Sequence, residues 1–236
     1  MGEAPPLETQ NLGHSFGELD ALSDLSLMVA AGECVVLLGA NGSGKSTAVR
    51  TVSGLLEPTR GSVRVCGHDP HSEPDGESAR ALLALVPDSP LLYADLSVRE
   101  HLGLVVAAHG VADADDRIDW LLERMGIAAR ADFQPTQLSR GMRQKTQLAC
   151  AFVRPASLLV LDEPVVGLDP PSQLLLREML FEAKAAGTGV LMTTHQLPFV
   201  AGLADRALLL QDGEVVSSGA FDEVAAYVAD LGWSEA

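Results

Sequence analysis

The chain has 236 residues, of which 47% are hydrophobic and 20% are charged, so it can bury a core in one large domain or two small ones. This composition excludes collagen-like, low-complexity and disordered chains, and no apolar run approaches the ~20 residues that a membrane-spanning helix needs. The 32 acidic residues outnumber the 16 basic ones, and the resulting net charge of −16 would repel nucleic-acid backbones and anionic lipid surfaces.

Short, continuous apolar runs alternate with helical patterns along the chain, which favours an α/β fold. The first run, residues 34–38, predicts a buried parallel strand, because a strand that is covered on both faces is apolar at every position. Residues 158–161 and 190–192 predict two more strands of this kind. Residues 68–78 are rich in Pro, Gly and Ser and predict a surface loop.

The pattern becomes helical between residues 99 and 154, which predicts a mostly helical insertion in the middle of the chain. One helix of this insertion is expected to begin at the acidic residues 113–116 and to end at Gly126. Its apolar side chains recur at helical spacing, at Ile118, Leu121, Leu122 and Met125.

Two further elements are predicted towards the end of the chain. A helix is expected to begin at the Pro170-Pro171 pair, since proline suits the first turn of a helix, and to end at Gly187. The Asp212-Gly213 pair lies between the apolar runs 207–210 and 214–216, which is the pattern of a β-hairpin with a tight turn.

A glycine-rich segment, GANGSGKST, follows the strand predicted at residues 34–38 and precedes a helical pattern. It fits the phosphate-loop motif GxxxxGK[ST], in which glycines let backbone N–H groups turn towards phosphate oxygens and the helix start adds a positive dipole end. We expect the Lys45 side chain to reach the β- and γ-phosphates of a nucleotide, and the Ser46 hydroxyl to bind Mg²⁺. The predicted nucleotide-binding residues here are Gly39, Asn41, Gly42, Ser43, Gly44, Lys45, Ser46 and Thr47.

Two acidic residues follow the strand predicted at residues 158–161. In a phosphate-loop enzyme, an acid at this place would hold Mg²⁺ through a water molecule, and we expect Asp162 to do so. Glu163, one residue further on, is expected to polarise the attacking water as the general base.

Three more motifs lie further along the chain: LSRGM at residues 138–142, VGLDP at residues 166–170 and TTH at residues 193–195. In order and spacing, all these motifs together resemble the nucleotide-binding domain of ATP-binding-cassette (ABC) proteins, and the resemblance covers nearly the whole chain. It implies a P-loop NTPase core with a mostly parallel sheet, an antiparallel β subregion and a helical subregion at about residues 90–155. A single ABC ATPase domain is then expected over residues 7–236, with ATP and Mg²⁺ as its ligands.

The resemblance also implies roles for residues outside the phosphate loop. LSRGM stands at the family's signature motif, which contacts the γ-phosphate bound by the opposite subunit, so that ATP lies between two protomers. From the residues alone, an ordinary helix N-cap is the favoured interpretation of the LSRGM segment. His195 would contact the γ-phosphate and steady the catalytic water, and Phe16 would stack on adenine; a core histidine and plain packing are the alternatives. The signature residues are Ser139, Arg140, Gly141 and Met142, and Asp169 belongs to the D-loop.

The chain departs from the family pattern at two positions. The family has a glutamine that contacts Mg²⁺ and water and senses the membrane partner, but the matching segment here carries Asp88, and no glutamine lies between Gln10 and Gln134. Either Asp88 ligates Mg²⁺, directly or through water, because hard cations prefer carboxylate oxygen, or it holds the site inactive until a partner moves it. The second departure is Met142, which replaces the last glutamine of the signature.

The leading interpretation is an ATPase subunit that dimerises on binding ATP, as a homodimer or a heterodimer, and drives a separate transmembrane permease. The amino-acid sequences of the signature and of residues 87–93 resemble those of ATPases from bacterial export systems more than those of ATPases from nutrient importers. The expected location is cytoplasmic, on the inner face of the cell membrane through the permease. Three cysteines without a close pair fit a reducing compartment, and the amino end does not have the pattern of a secretory signal.

Two other functions remain open at this point. A soluble, non-transport ABC ATPase could act on a macromolecular partner, although the net charge of −16 argues against nucleic acid as that partner. A nucleotide-binding module without hydrolysis would be consistent with Asp88, but the presence of both Glu163 and His195 argues against it.

Overall fold

The computed structural model describes residues 4–112 and 114–232. Its strands are β1 (Leu7–Phe16), β2 (Leu19–Val29), β3 (Cys34–Leu38), β4 (Arg60–Val65), β5 (Leu83–Val86), β6 (Leu158–Asp162), β7 (Gly189–Thr193), β8 (Arg206–Gln211) and β9 (Glu214–Ala220). The larger sheet has the strand order β5-β6-β7-β3-β8-β9 and is parallel except where β9 pairs antiparallel with β8. The smaller sheet, β2-β1-β4, is antiparallel. The three strands predicted as buried and parallel are therefore confirmed as β3, β6 and β7.

Strands β3, β6 and β7 of the larger sheet are buried at every position, as their continuous apolar runs predicted. Alternate side chains of β3 enter different cores: Val36 and Leu38 pack with the helical side of the molecule, and Val35 and Leu37 pack with the side that carries the antiparallel sheet. This alternation follows from the two-residue period of a strand. Both faces of β3 are therefore buried, and an unpaired polar side chain at any of its five positions would be costly.

The helices are α1 (Lys45–Val52), α2 (Asp75–Leu82), α3 (Val98–Ala108), α4 (Ala114–Arg124), α5 (Arg140–Phe152), α6 (Pro170–Ala185), α7 (Leu197–Val200) and α8 (Phe221–Asp230). Helix α4 confirms the helix predicted before Gly126, and Asp115 and Asp116 lie in its first turn. Asp113, the first acid of that prediction, lies outside the described residues. Helix α6 confirms the helix predicted from Pro170, with Asp169 as its N-cap.

The prediction of a surface loop over residues 68–78 is wrong for residues 75–78, because α2 begins at Asp75. Pro74 precedes the helix, and Asp75 and Glu77 occupy its first turn, where their charge complements the helix dipole. The helix packs through Gly76 and Ala79, which are both buried. The Pro, Gly and Ser residues of the segment gave it a loop-like composition, although one of them, Gly76, lies on the packing face of the helix.

The hairpin predicted around Asp212-Gly213 is confirmed by the antiparallel pairing of β8 and β9. Asp212 and Gly213 both have positive φ, 50° and 82°, which is the conformation of a tight turn that matches strand twist. Within the part of the chain that the structure describes, no helix combines the length and the apolarity needed to cross a bilayer.

Candidate functional site

The phosphate loop connects the end of β3 to the start of α1. Gly39, Gly42 and Gly44 have φ values of 155°, 84° and 103°, and these backbone conformations favour glycine. At Gly44 a side chain is also excluded by space, because a Cβ there would lie 2.5 Å from the carbonyl oxygen of Ala21. The glycine pattern of the motif is therefore required by the backbone of this loop.

The β8–β9 turn is hydrogen-bonded to the phosphate loop. The Gly213 N–H donates to the Ser43 carbonyl oxygen at 3.1 Å, and the Ser23 N–H donates to the Gly213 carbonyl oxygen at 2.8 Å. The loop is thus fixed by β2 and by a hairpin about 170 residues further along the chain, so its shape is set before any ligand binds.

The Lys45 side chain lies inside the phosphate loop. Lys45 is 7% exposed, and its Nζ donates to the carbonyl oxygens of Gly39 at 2.7 Å and Ala40 at 3.0 Å. Burial lowers the pKa of Lys45, and the charges of Glu163 and Asp162 oppose this shift. The structure therefore places the predicted lysine and both predicted acids within electrostatic reach of one another.

The two acids lie at the carboxyl end of β6, beside the same end of β7. Asp162 is paired with Thr193 across the parallel ladder and is buried. The Thr193 hydroxyl donates to Asp162 Oδ1 at 2.5 Å and accepts a hydrogen bond from the Glu163 N–H at 3.0 Å. Thr193 is a site residue that the sequence analysis missed. Its position at the end of a parallel strand, where open α/β sheets bind ligands, was the available signal.

Glu163 and His195 form the second contact of the site. Glu163 Oε2 lies 3.0 Å from His195 Nδ1, and the His195 side chain is half exposed whereas that of Glu163 is mostly buried. Although this distance is that of an ion pair, Oε2 accepts no well-aligned hydrogen bond from the described residues. A buried carboxylate oxygen with free acceptor capacity is suited to take a hydrogen bond from water, as a general base must.

The signature segment forms the start of α5. The Ser139 side chain accepts a hydrogen bond from the Met142 N–H at 3.2 Å, so Ser139 is the N-cap of the helix. Ser139 and Arg140 are exposed, and Gly141 lies directly against Gly167. The structure thus gives Ser139 the capping geometry that both interpretations of the motif allow.

Asp169, the D-loop residue, caps the next helix. Its carboxylate accepts hydrogen bonds from the N–H and the hydroxyl of Ser172. The hydrogen bond from the Ser172 hydroxyl has the largest effect on Asp169 and lowers its pKa. Desolvation raises this pKa, and the positive charge of Lys145 lowers it further. Asp169 therefore stays ionised at the start of α6, where the helix dipole favours a negative charge.

Phe16 and Asp88 are predicted site residues with local contacts of their own. Phe16 ends β1 with a ring that is 51% exposed and that contacts the His14 ring edge-on, with centroids 4.4 Å apart. Asp88 is exposed, and its carboxylate accepts a hydrogen bond from the neighbouring Ser89 N–H at 2.8 Å. Within residues 4–112 and 114–232, no hydrogen bond or ion pair joins either side chain to Lys45, Asp162 or Glu163.

A cleft of about 1110 Å³ opens beside the phosphate loop. It is lined by Gly39, Ala40 and Asn41 on one side and by His195 on another, and it continues towards α6 and α7. Lys45, Asp162 and Glu163 do not line this cleft, so it adjoins the phosphate loop without enclosing the predicted catalytic group.

Residues 22–166 match the protein-family model described as ABC transporter. The chain belongs to this ABC family. This ABC ATPase is 34% identical to the ABC-type transporter ATP-binding protein EcsA of Bacillus subtilis (strain 168), over 92% of this chain and 88% of the relative. It is 36% identical to the SkfA peptide export ATP-binding protein SkfE of the same organism, over 89% of this chain and 87% of the relative.

A solved structure described as the ATP-binding subunit of an ABC transporter has the same fold as this ABC ATPase. The TM-score is 0.87 at 34% sequence identity, over 98% of this chain and 95% of the other. The P-loop NTPase fold that the motifs implied is therefore confirmed, and ATP is the nucleotide of the family.

Proposed function

We propose that this ABC ATPase is the ATP-hydrolysing subunit of an export transporter and drives a separate transmembrane permease. The observation that carries the proposal is the geometry at the carboxyl ends of β6 and β7, where Glu163 Oε2 lies 3.0 Å from His195 Nδ1 and Asp162 accepts a hydrogen bond from Thr193. The phosphate loop, which encloses the Lys45 side chain, follows the neighbouring strand β3. The direction of transport is supported by the name of the peptide export relative and by the export-like form of the signature. Residues 7–236 are proposed to act as one ABC ATPase domain.

Each residue of the group has a proposed task in hydrolysis. The N–H groups of residues 39–47 and the Lys45 ammonium hold the phosphates, and burial of Lys45 directs its charge towards them. The Glu163 carboxylate accepts the proton of the attacking water, and His195, which lies 3.0 Å from Oε2, orients that carboxylate and contacts the γ-phosphate. Phe16 presents an exposed ring face for stacking with adenine.

The chemistry of the donor set fits Mg²⁺. Ser46 has an exposed hydroxyl in the first turn of α1, and the Asp162 carboxylate is oriented by Thr193. The Ser46 hydroxyl, the Asp162 carboxylate and the substrate phosphates would hold the ion, since hard cations take oxygen ligands. When bound, Mg²⁺ would neutralise charge on the β- and γ-phosphates. Asp88 is proposed as a further Mg²⁺ ligand.

The active form is proposed to be a head-to-tail dimer, a homodimer or a heterodimer. Ser139, Arg140, Gly141 and Met142 of one subunit would then face the γ-phosphate bound by the other, and Asp169 would lie at the interface. Docking to the permease is proposed at residues 88–93, where Leu91 and Tyr93 are 70% and 65% exposed, and would hold the chain on the inner face of the cell membrane.

Replacement of the general base tests the hydrolytic part of the proposal. Glu163→Gln is expected to lower kcat by ~10²–10⁴ while ATP still binds, because the amide keeps the shape of the side chain but cannot accept the proton. The trapped ATP state should be a dimer by light scattering. Glu123→Gln, which removes the same charge from an exposed position on α4, should leave turnover and mass unchanged. A Glu163→Gln protein that remains monomeric with ATP would exclude the dimer.

The permease part needs a separate experiment. A tagged chain purified from detergent-solubilised membranes should retain a polytopic membrane protein. Retention of ribosomes instead, or of no membrane protein, would exclude the transport assignment while leaving ATP hydrolysis intact.

A further inference from the structure

The loop that carries the general base is tied to the signature helix of the same chain. We call residues 163–169 the acidic loop. Gln144, in the second turn of α5, is 1% exposed, and its Nε2 donates to the carbonyl oxygen of Pro164 at 3.0 Å. At the other end of the acidic loop, a Cβ on Gly141 would lie 2.7 Å from the Gly167 carbonyl oxygen. The backbones of α5 and of the acidic loop are therefore in direct contact, and the Gln144 side chain adds a buried hydrogen bond to the Pro164 carbonyl oxygen.

The hydrogen bond from Gln144 to Pro164 lies next to a residue with an unusual backbone conformation. Glu163 has φ 47°, in the left-handed region that side-chain-bearing residues rarely adopt. Such a residue keeps its conformation only where its surroundings hold it. On the amino side, the Glu163 N–H donates to both oxygens of Thr193, at 3.0 Å and 3.2 Å. On the carboxyl side, the Glu163 carbonyl oxygen accepts a hydrogen bond from the Val166 N–H at 3.2 Å, and Gln144 holds the carbonyl group of the following residue, Pro164.

We propose that Gln144 is a positioning residue for Glu163, which fixes the acidic loop to the signature helix so that the carboxylate is held in its reactive direction. The proposal rests on the general-base role proposed above for Glu163. Since α5 begins at the signature residues, the same hydrogen bond joins the helix that would face one ATP to the base that would act on the other. Gln144 itself touches neither ATP nor water.

The test uses Gln144→Met, which keeps the length of the side chain but removes the donor. We expect kcat for ATP hydrolysis to fall 10–100-fold, because displacement of a reacting group by about 1 Å can cost 10²-fold. The dissociation constant for ATP should stay within about threefold, since Gln144 does not contact the phosphate loop. The matched control is Thr188→Val, which also removes a side-chain hydrogen bond to a backbone carbonyl, that of Ala156 at 3.0 Å, away from the site. It should leave kcat unchanged.

A double-mutant cycle distinguishes positioning from a general loss of stability. If Gln144 acts through Glu163, adding Gln144→Met to Glu163→Gln should change the residual single-turnover rate by less than twofold. A multiplicative further loss, or a kcat loss matched by Thr188→Val at equal thermal shift, would overturn the positioning role. Gln144→Met with wild-type kcat would overturn it as well, while Glu163→Gln remained inactive. Full turnover in Glu163→Gln would instead refute the general-base proposal on which this inference rests.

Discussion

Thr193→Val is the substitution for which the structure gives the clearest magnitude. Thr193 is fully buried, and valine has nearly the same shape, so the change removes one hydroxyl without leaving a large cavity. That hydroxyl donates to Asp162 Oδ1 and accepts from the Glu163 N–H. Asp162 is itself 4% exposed, so water cannot easily replace the lost donor.

The expected loss of stability comes mainly from Asp162. A hydrogen bond to a charged group contributes about 1.5–3 kcal/mol, and this one would be lost completely. The Glu163 N–H keeps its second acceptor, the Thr193 carbonyl oxygen at 3.2 Å, so its contribution to the loss is small. We therefore expect the free energy of unfolding to fall by about 2–3 kcal/mol. At roughly 2–4 °C per kcal/mol for a chain of this size, Tm should fall by about 4–12 °C.

Thermal unfolding of the nucleotide-free protein at pH 7 measures this loss, with urea unfolding as a second determination. Thr188→Val is the control, since it removes a hydroxyl that donates to the neutral Ala156 carbonyl oxygen and should cost only about 0.5–1.5 kcal/mol. If Thr193→Val lowers Tm by no more than Thr188→Val does, the Thr193 hydroxyl does not stabilise a buried carboxylate and the reasoning is wrong.

Two further predictions concern ligand binding. Lys45→Ala should weaken ATP binding by about 10–150-fold, the equivalent of one charge-assisted contact of 1.5–3 kcal/mol, and an unchanged dissociation constant by calorimetry would contradict the phosphate-loop assignment. Asp88→Gln should leave Tm nearly unchanged, because the Asp88 side chain is exposed, but should alter the Mg²⁺ concentration needed for half-maximal turnover. If both Mg²⁺ dependence and permease-stimulated turnover stay as in the wild type, Asp88 has no special role.

Local sequence was sufficient wherever a single strand, turn or loop sets its own conformation. Strand β3 was predictable because five successive apolar residues require cover on both faces. The β8–β9 turn was predictable because Asp-Gly suits two successive positive φ values. The start of helix α2 was not, because its first turn, residues 75–78, continues a run rich in Pro, Gly and Ser that has the composition of a loop.

Long-range contacts explain why the supporting residues of the site were missed. Thr193 reaches Asp162 only because β6 and β7 pair in parallel register, which brings together residues 31 positions apart. Gln144 reaches Pro164 only because α5 packs its buried face on the acidic loop. No local pattern encodes these distances, whereas the residues predicted to bind the nucleotide lie in contiguous motifs.

The phosphate loop shows how the two kinds of information combine. Its glycines can be read from the sequence, but the reason for Gly44 is the carbonyl oxygen of Ala21 in β2, 2.5 Å from where a Cβ would lie. The loop also receives a hydrogen bond from Gly213, so the hairpin turn and the phosphate loop restrict each other. Because N–H groups that are oriented in advance bind phosphate more strongly, we expect β2 and the β8–β9 hairpin to raise nucleotide affinity through the shape of the loop. The motif therefore predicts which groups bind phosphate, and we expect the surrounding sheets to set how tightly they bind it.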